Sequence, residues 1–393
     1  MNLRDYYTQL KKKCEVTPMN VLFQNRPDVF KNIGGDTVQM LKTLEYLQKE
    51  GIQVDVSTEL TPNLDKYDIV HLFNTTRIAE TYIQALNAKK QRKLVVISPI
   101  YWNMSEYKKW VRKELIPRLP RYSSTEKSVK KLVKTLFFKN KRIQKIYHKL
   151  GDIRLIINDK RLFQKQYAVL HLANAILPNS YMEMEQIVKS FGVPAEKCTV
   201  VPNAAEEKFA EASPREFIKK YNMQNFVLSV AAIGARKNTH SLIKAASLED
   251  LPLILIGTCK ENEYVKLCKE EALRGKVMFL GKIDHESNLL ISAYAAAKVH
   301  ALVSWYETPG LSSLEAGLAG CNIVTTDRGT TQEYFGDMVW YCNPSDILSI
   351  RKALRQAYNS PKNDKLKAHI MENYTWKKAA KLTIKAYKKI IEE

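Results

Sequence analysis

Short apolar runs alternate with helix-length amphipathic segments along almost the whole chain. In chain order, the runs are NVLF, DIVHLF, KLVVIS, NAILPN, FVLSVA, LPLILIG, KVMFLG, VHALVS and NIVTT. Continuous apolar strands that alternate with helices are typical of parallel sheets covered on both faces. The pattern therefore predicts an α/β protein with doubly wound parallel sheets.

The pattern restarts near Phe226, after the loop-like stretch VPNAAEEKFAEASPREF with its two prolines. We therefore predict two domains, one over residues 1–203 and one over 204–372. The closing segment WKKAAKLTIKAYKKIIEE predicts a C-terminal helix within 373–393.

The segment 106–165 carries most of the positive charge of the chain. The whole chain has a formal net charge of +21, and Lys108 to Lys165 contains 19 Lys and Arg against 4 Asp and Glu. Within it, 127–150 has nine basic residues, no acidic ones and apolar residues at nearly helical spacing, which predicts a basic amphipathic helix. Its apolar stripe could simply pack on its own domain. Because this segment has no acidic residues, we expect it to bind an anionic surface, and a membrane rather than nucleic acid. The predicted membrane-facing residues are Lys130, Lys131, Lys134 and Lys141.

Composition narrows the class of protein further. The 393 residues with 45% hydrophobic content suit two or three globular domains. The N-terminus lacks the apolar core of a signal peptide and no run is long enough to span a membrane, so we expect a cytoplasmic protein. The cysteines show no zinc-site spacing, and D-x-D, Walker A and G-x-G-x-x-G motifs are missing. We predict no metal site and no cofactor.

Two glutamates, Glu307 and Glu315, stand eight positions apart in SWYETPGLSSLEAGLAGCNIV. The stretch predicts a strand, a loop and then a helix that begins near Ser312 and ends at Gly320. Glu307 would lie in the loop, and Glu315 in the first turn of the helix. Ser312 and Glu315 also fit the S-x-x-E capping box, which would explain Glu315 without any ligand.

The wider set of motifs resembles the retaining family 4 glycosyltransferases of GT-B fold. The likeness covers nearly the whole chain after Met19, and most of its motifs lie between Phe226 and Pro344. The segments that carry it are the Glu307/Glu315 pair, Gly310-Leu311, Glu315-Ala316 before Gly320, Arg236-Lys237-Asn238, VMFLG, Asn343-Pro344-Ser345-Asp346, Gly34-Gly35-Asp36, YDIVH, ILPNS and VVPNA.

The resemblance implies two Rossmann-like domains around a cleft, with the C-terminal helix returning to the first domain. It assigns Glu315 to the ribose hydroxyls of a nucleotide diphosphate-sugar and Glu307 to the transferred sugar, where a carboxylate stabilises positive charge at the anomeric carbon. Charge and amide groups would hold the diphosphate, and a backbone contact near Met278 would hold the base. The implied diphosphate-binding residues are Gly34, Gly35, Arg236, Lys237, Gly310, Leu311 and Ser312.

The sequence departs from the family pattern at two places. Ala232 stands where family members usually carry an arginine, and SPIYW lacks the histidine that many members have there. Tyr101 and Trp102 are candidates for the sugar or acceptor side, with plain packing an equal alternative. His71, at the end of its strand, is expected to face the cleft, although such a histidine is more often structural.

The resemblance implies transfer with retention, and with the patterns above it predicts a metal-independent hexosyltransferase that acts on a lipid-linked or cell-envelope glycan acceptor. It would associate peripherally with the inner face of the plasma membrane, and no nucleic-acid partner is expected. A non-catalytic subunit of the same fold and a polyanion-binding protein are the alternatives. The sequence does not specify the sugar, the base or the acceptor.

Overall fold

The computed structural model describes residues 19–118, 159–362 and 364–393. They form two α/β domains, one with a five-stranded sheet and one with a six-stranded sheet. The strands of the first domain are β1 (Asn20–Gln24), β2 (Gln53–Ser57), β3 (Ile69–Phe73), β4 (Leu94–Ser98) and β5 (Ala175–Ile176). The strands of the second domain are β6 (Val227–Val230), β7 (Leu253–Ile256), β8 (Val277–Gly281), β9 (Val299–Leu302), β10 (Asn322–Thr326) and β11 (Trp340–Cys342).

Helices cover both faces of each sheet. The first domain has helices Gly35–Lys49, Ile78–Lys90, Asp159–Leu172 and Tyr181–Phe191. The second domain has helices Arg215–Tyr221, Thr239–Leu248, Glu263–Ala272, Asn288–Ala296, Leu311–Leu318, Thr331–Phe335, Ile347–Asn359 and Lys365–Asn373, with a 3-10 turn at Ala235–Lys237. The segment after β4 holds Ser105–Trp110, a π-helical turn at Val111–Leu115 and Ile116–Arg118, and Trp376–Glu392 is the last helix.

The strand order is β2-β1-β3-β4-β5 in the first sheet and β11-β10-β9-β6-β7-β8 in the second. All the recorded strand pairs are parallel, with Val21 opposite Ile69 and Val227 opposite Val299 as examples. The central strands are fully buried because helices lie on both faces. The doubly wound prediction is therefore confirmed.

The chain passes between the domains at two adjacent places. Ala205 leads into the second domain and Thr375 leads out of it, and the two form an isolated parallel bridge. The helix Trp376–Glu392 then packs on Gly35–Lys49. Its buried residues, among them Tyr387, belong to the core of the first domain. This helix ties the end of the second domain to the first.

The segment after β4 does not stay with the first domain. Tyr107, Val111 and Leu115 are buried in the hydrophobic core of the second domain, on one face of a helix because they are spaced four residues apart. The prediction placed the whole segment 106–165 in the first domain, and its described beginning packs elsewhere. The rest of the predicted amphipathic helix, including its four membrane-facing lysines, lies outside the described residues.

Among the described helices, none has the length and apolar character needed to cross a membrane.

Candidate active site

Loops that follow the carboxyl ends of strands in both sheets meet between the two domains. Gly34 and Gly35 start the first-domain helix after β1, and Leu311 starts the helix after β9. A methyl group built on Gly35 would lie 3.9 Å from the Leu311 side chain, so these predicted residues face one another. Leu311 also packs against the core of the first domain. Helix N-termini at the carboxyl ends of parallel strands are favourable places for an anionic ligand.

Glu307 lies buried in the loop after β9. Its N–H donates to the carbonyl of Arg328 at 3.3 Å, and its carbonyl accepts from the N–H of Thr330 at 2.9 Å. Gly329, between those two residues, has a φ of +96°, and a side chain there would collide with the Glu307 backbone. The loops after β9 and β10 are thus joined backbone to backbone, which holds Glu307 in place.

The carboxylate of Glu307 meets two basic side chains. Lys237 Nζ lies 2.5 Å from Glu307 Oε1, and Arg236 Nη1 lies 3.9 Å from the same oxygen. The Arg236 guanidinium also lies over the Tyr306 ring, 5.1 Å from its centroid. The 3-10 turn at Ala235–Lys237 brings both side chains to one carboxylate, although the two residues are neighbours in the chain. Arg236 therefore supplies a guanidinium near the site although Ala232 cannot.

Burial and the charge of the partner shift the pKa values of Lys237 and Glu307 in opposite directions. Burial lowers the pKa of Lys237 to about 8; Glu307 opposes this shift and Arg236 adds to it. Burial alone would raise the pKa of Glu307, but Lys237 and Arg236 hold it below its ordinary value. At neutral pH the pair is ionised, and Lys237 is close to its titration range. An incoming phosphate would compete with Glu307 for the ammonium group.

Glu315 is held from within the second domain. Its Oε1 accepts from His285 Nε2 at 2.6 Å and its Oε2 accepts from the Tyr294 hydroxyl at 2.8 Å. Burial would lower the pKa of His285, but Glu315 and Glu286 raise it to about 10, so the ring is protonated at neutral pH. Each carboxylate oxygen can accept a second hydrogen bond, so Glu315 retains the capacity to bind hydroxyls.

The capping-box interpretation of Glu315 is wrong. The helix begins at Leu311 with Gly310 as its N-cap, where φ is +93°, and no side chain caps it. Ser312 is the second helical residue, so Glu315 falls beyond the first turn and cannot complete a box with it. The N–H groups of Leu311 and Ser312 are the first two of this helix, which have no acceptor within the helix itself.

An ionic cluster joins the two domains beside Glu315. Lys42 is buried, and its Nζ lies 2.8 Å from Glu206, 3.1 Å from Glu45 and 3.3 Å from Glu286. These neighbouring carboxylates outweigh burial and raise the pKa of Lys42. A cavity of about 400 Å³ opens next to the cluster. Both domains line it, through Ile33, Val38, Leu41, Lys42, Lys282, Ile283, Asp284, His285, Glu286 and Ser287.

Sequence reasoning missed Lys42, His285 and Tyr294. No local spacing marks them, because they come together only when distant parts of the chain fold. The one available signal was the position of 282–287 directly after a predicted strand, where ligand-binding loops lie.

Glu206, His285 and Glu286 could offer ligand atoms within 4.8 Å of one another. However, Lys42 and Lys208 already contact Glu206 and Glu286, and His285 is protonated. Metal ligation requires a neutral imidazole, so a cation would have to displace protons and ammonium groups.

Several predicted residues lie away from this region. His71 is fully buried, with its ring nitrogens 2.5 Å from the Tyr387 hydroxyl and 2.9 Å from the Ser98 hydroxyl. Burial lowers the pKa of His71 to about 3, so it is a neutral packing residue against the C-terminal helix and the expectation that it faces the cleft is wrong. Met278 is the second residue of β8, opposite Ile254 and before the carboxyl end of the strand.

The two aromatic residues after β4, Tyr101 and Trp102, are both partly buried. The ring of Tyr101 contacts Phe191 edge-on at 5.0 Å, and its N–H donates to Glu183 at 2.6 Å. Trp102 is partly buried in the same loop. The geometry of Tyr101 agrees with the packing alternative.

Comparisons with known proteins agree with this architecture. Residues 211–378 match the family described as glycosyl transferases group 1. The chain is 26% identical over 259 residues to the O-antigen chain mannosyltransferase B of Escherichia coli, with 62% of this chain and 66% of that protein covered. It is 31% identical over 170 residues to an N-acetylgalactosaminyltransferase of Campylobacter jejuni, with 42% and 45% covered. The matches therefore span less than two thirds of the length of these relatives.

The fold is also that of solved glycosyltransferase structures. HepE of Anabaena, solved in complex with UDP and glucose, superposes with a TM-score of 0.65 at 15% identity and covers 94% of this chain and 99% of its own. Identity this low supports the fold alone. The chain thus has the GT-B fold, and residues 211–378, which form most of its second domain, match the glycosyl transferases group 1 family.

Proposed function

We propose that the protein is a retaining, metal-independent hexosyltransferase that moves a sugar from a nucleotide diphosphate-sugar to a lipid-linked or cell-envelope glycan acceptor. The observation that carries this proposal is the buried Glu307, held against Lys237 and Arg236 in the cleft between the domains. A carboxylate and two cations in one buried place match the two ends of a sugar diphosphate.

The donor would lie across the cleft with its diphosphate between the cations and the amides of Leu311 and Ser312. Gly34 and Gly35 would allow close approach from the first domain because they carry no side chain. The cavity at 282–287 would take the nucleoside, with Glu315 accepting from the ribose hydroxyls. The base contact then belongs to the Lys282–Ile283 backbone and not to Met278.

In the transfer step, the bond between the anomeric carbon and the phosphate oxygen breaks while the acceptor oxygen attacks from the same face. The hydroxyl proton passes to the departing phosphate. Glu307 stabilises the positive charge on the sugar, and Lys237 and Arg236 stabilise the negative charge on the nucleoside diphosphate. Neither glutamate forms a covalent intermediate.

The acceptor class rests on the relatives. The Escherichia coli relative is an O-antigen chain mannosyltransferase, and the name of the Campylobacter jejuni relative describes a diphospho-undecaprenol acceptor. A lipid-linked acceptor would require the enzyme to work at the inner face of the plasma membrane, and the basic segment 127–150 is suited to an anionic surface.

The test is donor-dependent release of nucleoside diphosphate. Purified protein is incubated with UDP-, GDP- and dTDP-sugars, with and without a lipid-linked acceptor extract, in the presence of EDTA. We expect acceptor-stimulated release from one donor class, and little release with Glu307→Gln. The absence of release from every donor would contradict the proposal and favour a non-catalytic subunit. Equal release by Glu307→Gln would contradict the role proposed for Glu307 in the transfer step.

A further inference from the structure

Residues 103–118, which we call the strap, leave the first domain and dock on the second. The loop that starts the strap is anchored in the first domain, because the Tyr101 N–H donates to the buried Glu183 at 2.6 Å. Farther along, Tyr107, Val111 and Leu115 are buried in the core of the second domain. The strap is therefore a connection between the domains in addition to the two chain crossings.

The strap contacts the residues directly before Glu307. The ring centroids of Trp110 and Trp305 are 4.8 Å apart, and Tyr107 lies 6.2 Å from Trp305. Trp305 is only 3% exposed, so these contacts enclose it. The Tyr306 hydroxyl lies 3.1 Å from the sulfur of Met104, also in the strap.

The strap also contacts the other loop that holds Glu307. Glu106 forms two hydrogen bonds with the Arg328 guanidinium, at 2.9 and 3.2 Å. The carbonyl of Arg328 accepts from the Glu307 N–H. Side chains of the strap thus contact both loops that are joined at Glu307, one through aromatic packing and the other through an ion pair with two hydrogen bonds.

We propose that Trp110 and Glu106 are positioning residues, through which the strap holds the Glu307 loop in the geometry needed for transfer. This inference rests on the proposed function and adds a specific source of order at its central residue. Catalytic groups displaced by about 1 Å can lose on the order of a hundredfold in rate, so a positioning contact should affect turnover more than donor affinity.

The test compares Trp110→Ala with Trp110→Phe and with Leu115→Ala. Leu115 is buried in the same core and lines a cavity of about 480 Å³ together with Trp110 and Tyr264. The ring contact with Trp305 is made by Trp110, so truncating Leu115 destabilises the strap without removing that contact. Glu106→Gln and Arg328→Gln probe the ion pair. The primary measurement is hydrogen–deuterium exchange of peptides covering residues 305–310 and 328–331 in the free protein. The second is kcat and KM with the donor found by the release assay.

We expect Trp110→Ala to speed exchange in both peptides about tenfold or more and to lower kcat about ten- to a hundredfold with little change in KM. Glu106→Gln should act in the same direction and more weakly on the peptide that contains Arg328. Trp110→Phe should keep the exchange rates of both peptides and kcat close to their wild-type values. Leu115→Ala should lower the melting temperature without accelerating exchange at Glu307.

Equal acceleration by Leu115→Ala, or unchanged exchange in Trp110→Ala, would show that the strap is only structural and would overturn the inference. If the proposed function is wrong, the wild-type protein will show no turnover. Hydrogen–deuterium exchange does not depend on turnover, so it still tests whether the strap orders the Glu307 loop.

Discussion

Lys237 Nζ lies 2.5 Å from Glu307 Oε1, although seventy positions separate the two residues in the chain. The contact joins the 3-10 turn after β6 to the loop after β9, at the carboxyl ends of adjacent strands of the second sheet. It brings a cation for phosphate and a carboxylate for sugar to one place, and the predictions below depend on this arrangement.

Glu307→Gln should lower kcat about a hundredfold or more, because the amide fills the same space without the negative charge that stabilises the sugar cation. The affinity for nucleoside diphosphate should change much less. Steady-state kinetics and calorimetric titration measure the two quantities. The matched control is Glu261→Gln, an exposed glutamate of the same domain, which should match wild type in both. An affinity loss as large as the rate loss would assign Glu307 to donor binding.

Ser312→Ala should change the free energy of unfolding by less than about 0.5 kcal/mol, since Ser312 is inside the helix and not at its N-cap. Asn262→Ala is the positive control, because the Asn262 side chain accepts from the N–H of Val265 and caps its own helix. That change should cost about 0.5 to 2 kcal/mol. Denaturant unfolding of both variants decides the point. A cost for Ser312→Ala as large as for Asn262→Ala would restore the capping interpretation.

Donor affinity should fall as the pH rises above 8. The pKa of Lys237 is lowered to about 8 in the free protein, so above that pH the ammonium form that binds phosphate becomes the minority. Each further pH unit should raise Kd by up to about tenfold until the pKa of the complex is reached. Lys237→Arg stays charged and should lose this dependence. Titration with nucleoside diphosphate between pH 7 and 9.5 tests it, and a flat wild-type profile would contradict the assigned charge state.

The predicted membrane surface can be tested with vesicles. Changing Lys130, Lys131, Lys134 and Lys141 to Glu should abolish co-sedimentation with anionic vesicles at low salt, because each lysine contributes about 1 kcal/mol near such a surface. Wild-type binding should weaken steeply with added salt. In the charge-matched control, four exposed lysines of the C-terminal helix are changed to Glu instead: Lys377, Lys381, Lys385 and Lys388. This control should keep most of the vesicle binding. Equal binding of wild type to neutral vesicles would leave a soluble acceptor as the better hypothesis.

The central strands were predictable because they are buried on both faces and are therefore apolar throughout. The edge strands β2 and β11 were missed for the opposite reason: β2 is partly exposed, and in QVDVS polar and apolar residues alternate. The predicted strand at 174–179 shrinks to two residues, since only Ala175 and Ile176 pair with β4.

The site residues that lie close together in the sequence were predictable. Those that meet only after distant parts of the chain fold together were not. Glu307, Gly310 and Leu311 share a loop and helix start, so their proximity follows from sequence. The partners of Glu315 come from 21 and 30 positions away and leave no local pattern. The strap shows the same limit, because the spacing of its apolar residues predicts a helix but cannot say which domain will bury it.

The most direct test of our central claim is calorimetric titration of UDP, GDP and dTDP into wild type, Lys237→Ala, Glu315→Gln and the control Lys219→Ala, an exposed lysine of the second domain. We predict that one nucleotide binds wild type and Lys219→Ala equally. We predict that both site variants bind it roughly ten- to a hundredfold more weakly, as expected for losing a charge-assisted hydrogen bond worth about 1.5 to 3 kcal/mol. No binding by wild type, or equal binding by Lys237→Ala, would contradict the claim that this cleft holds a nucleotide diphosphate-sugar.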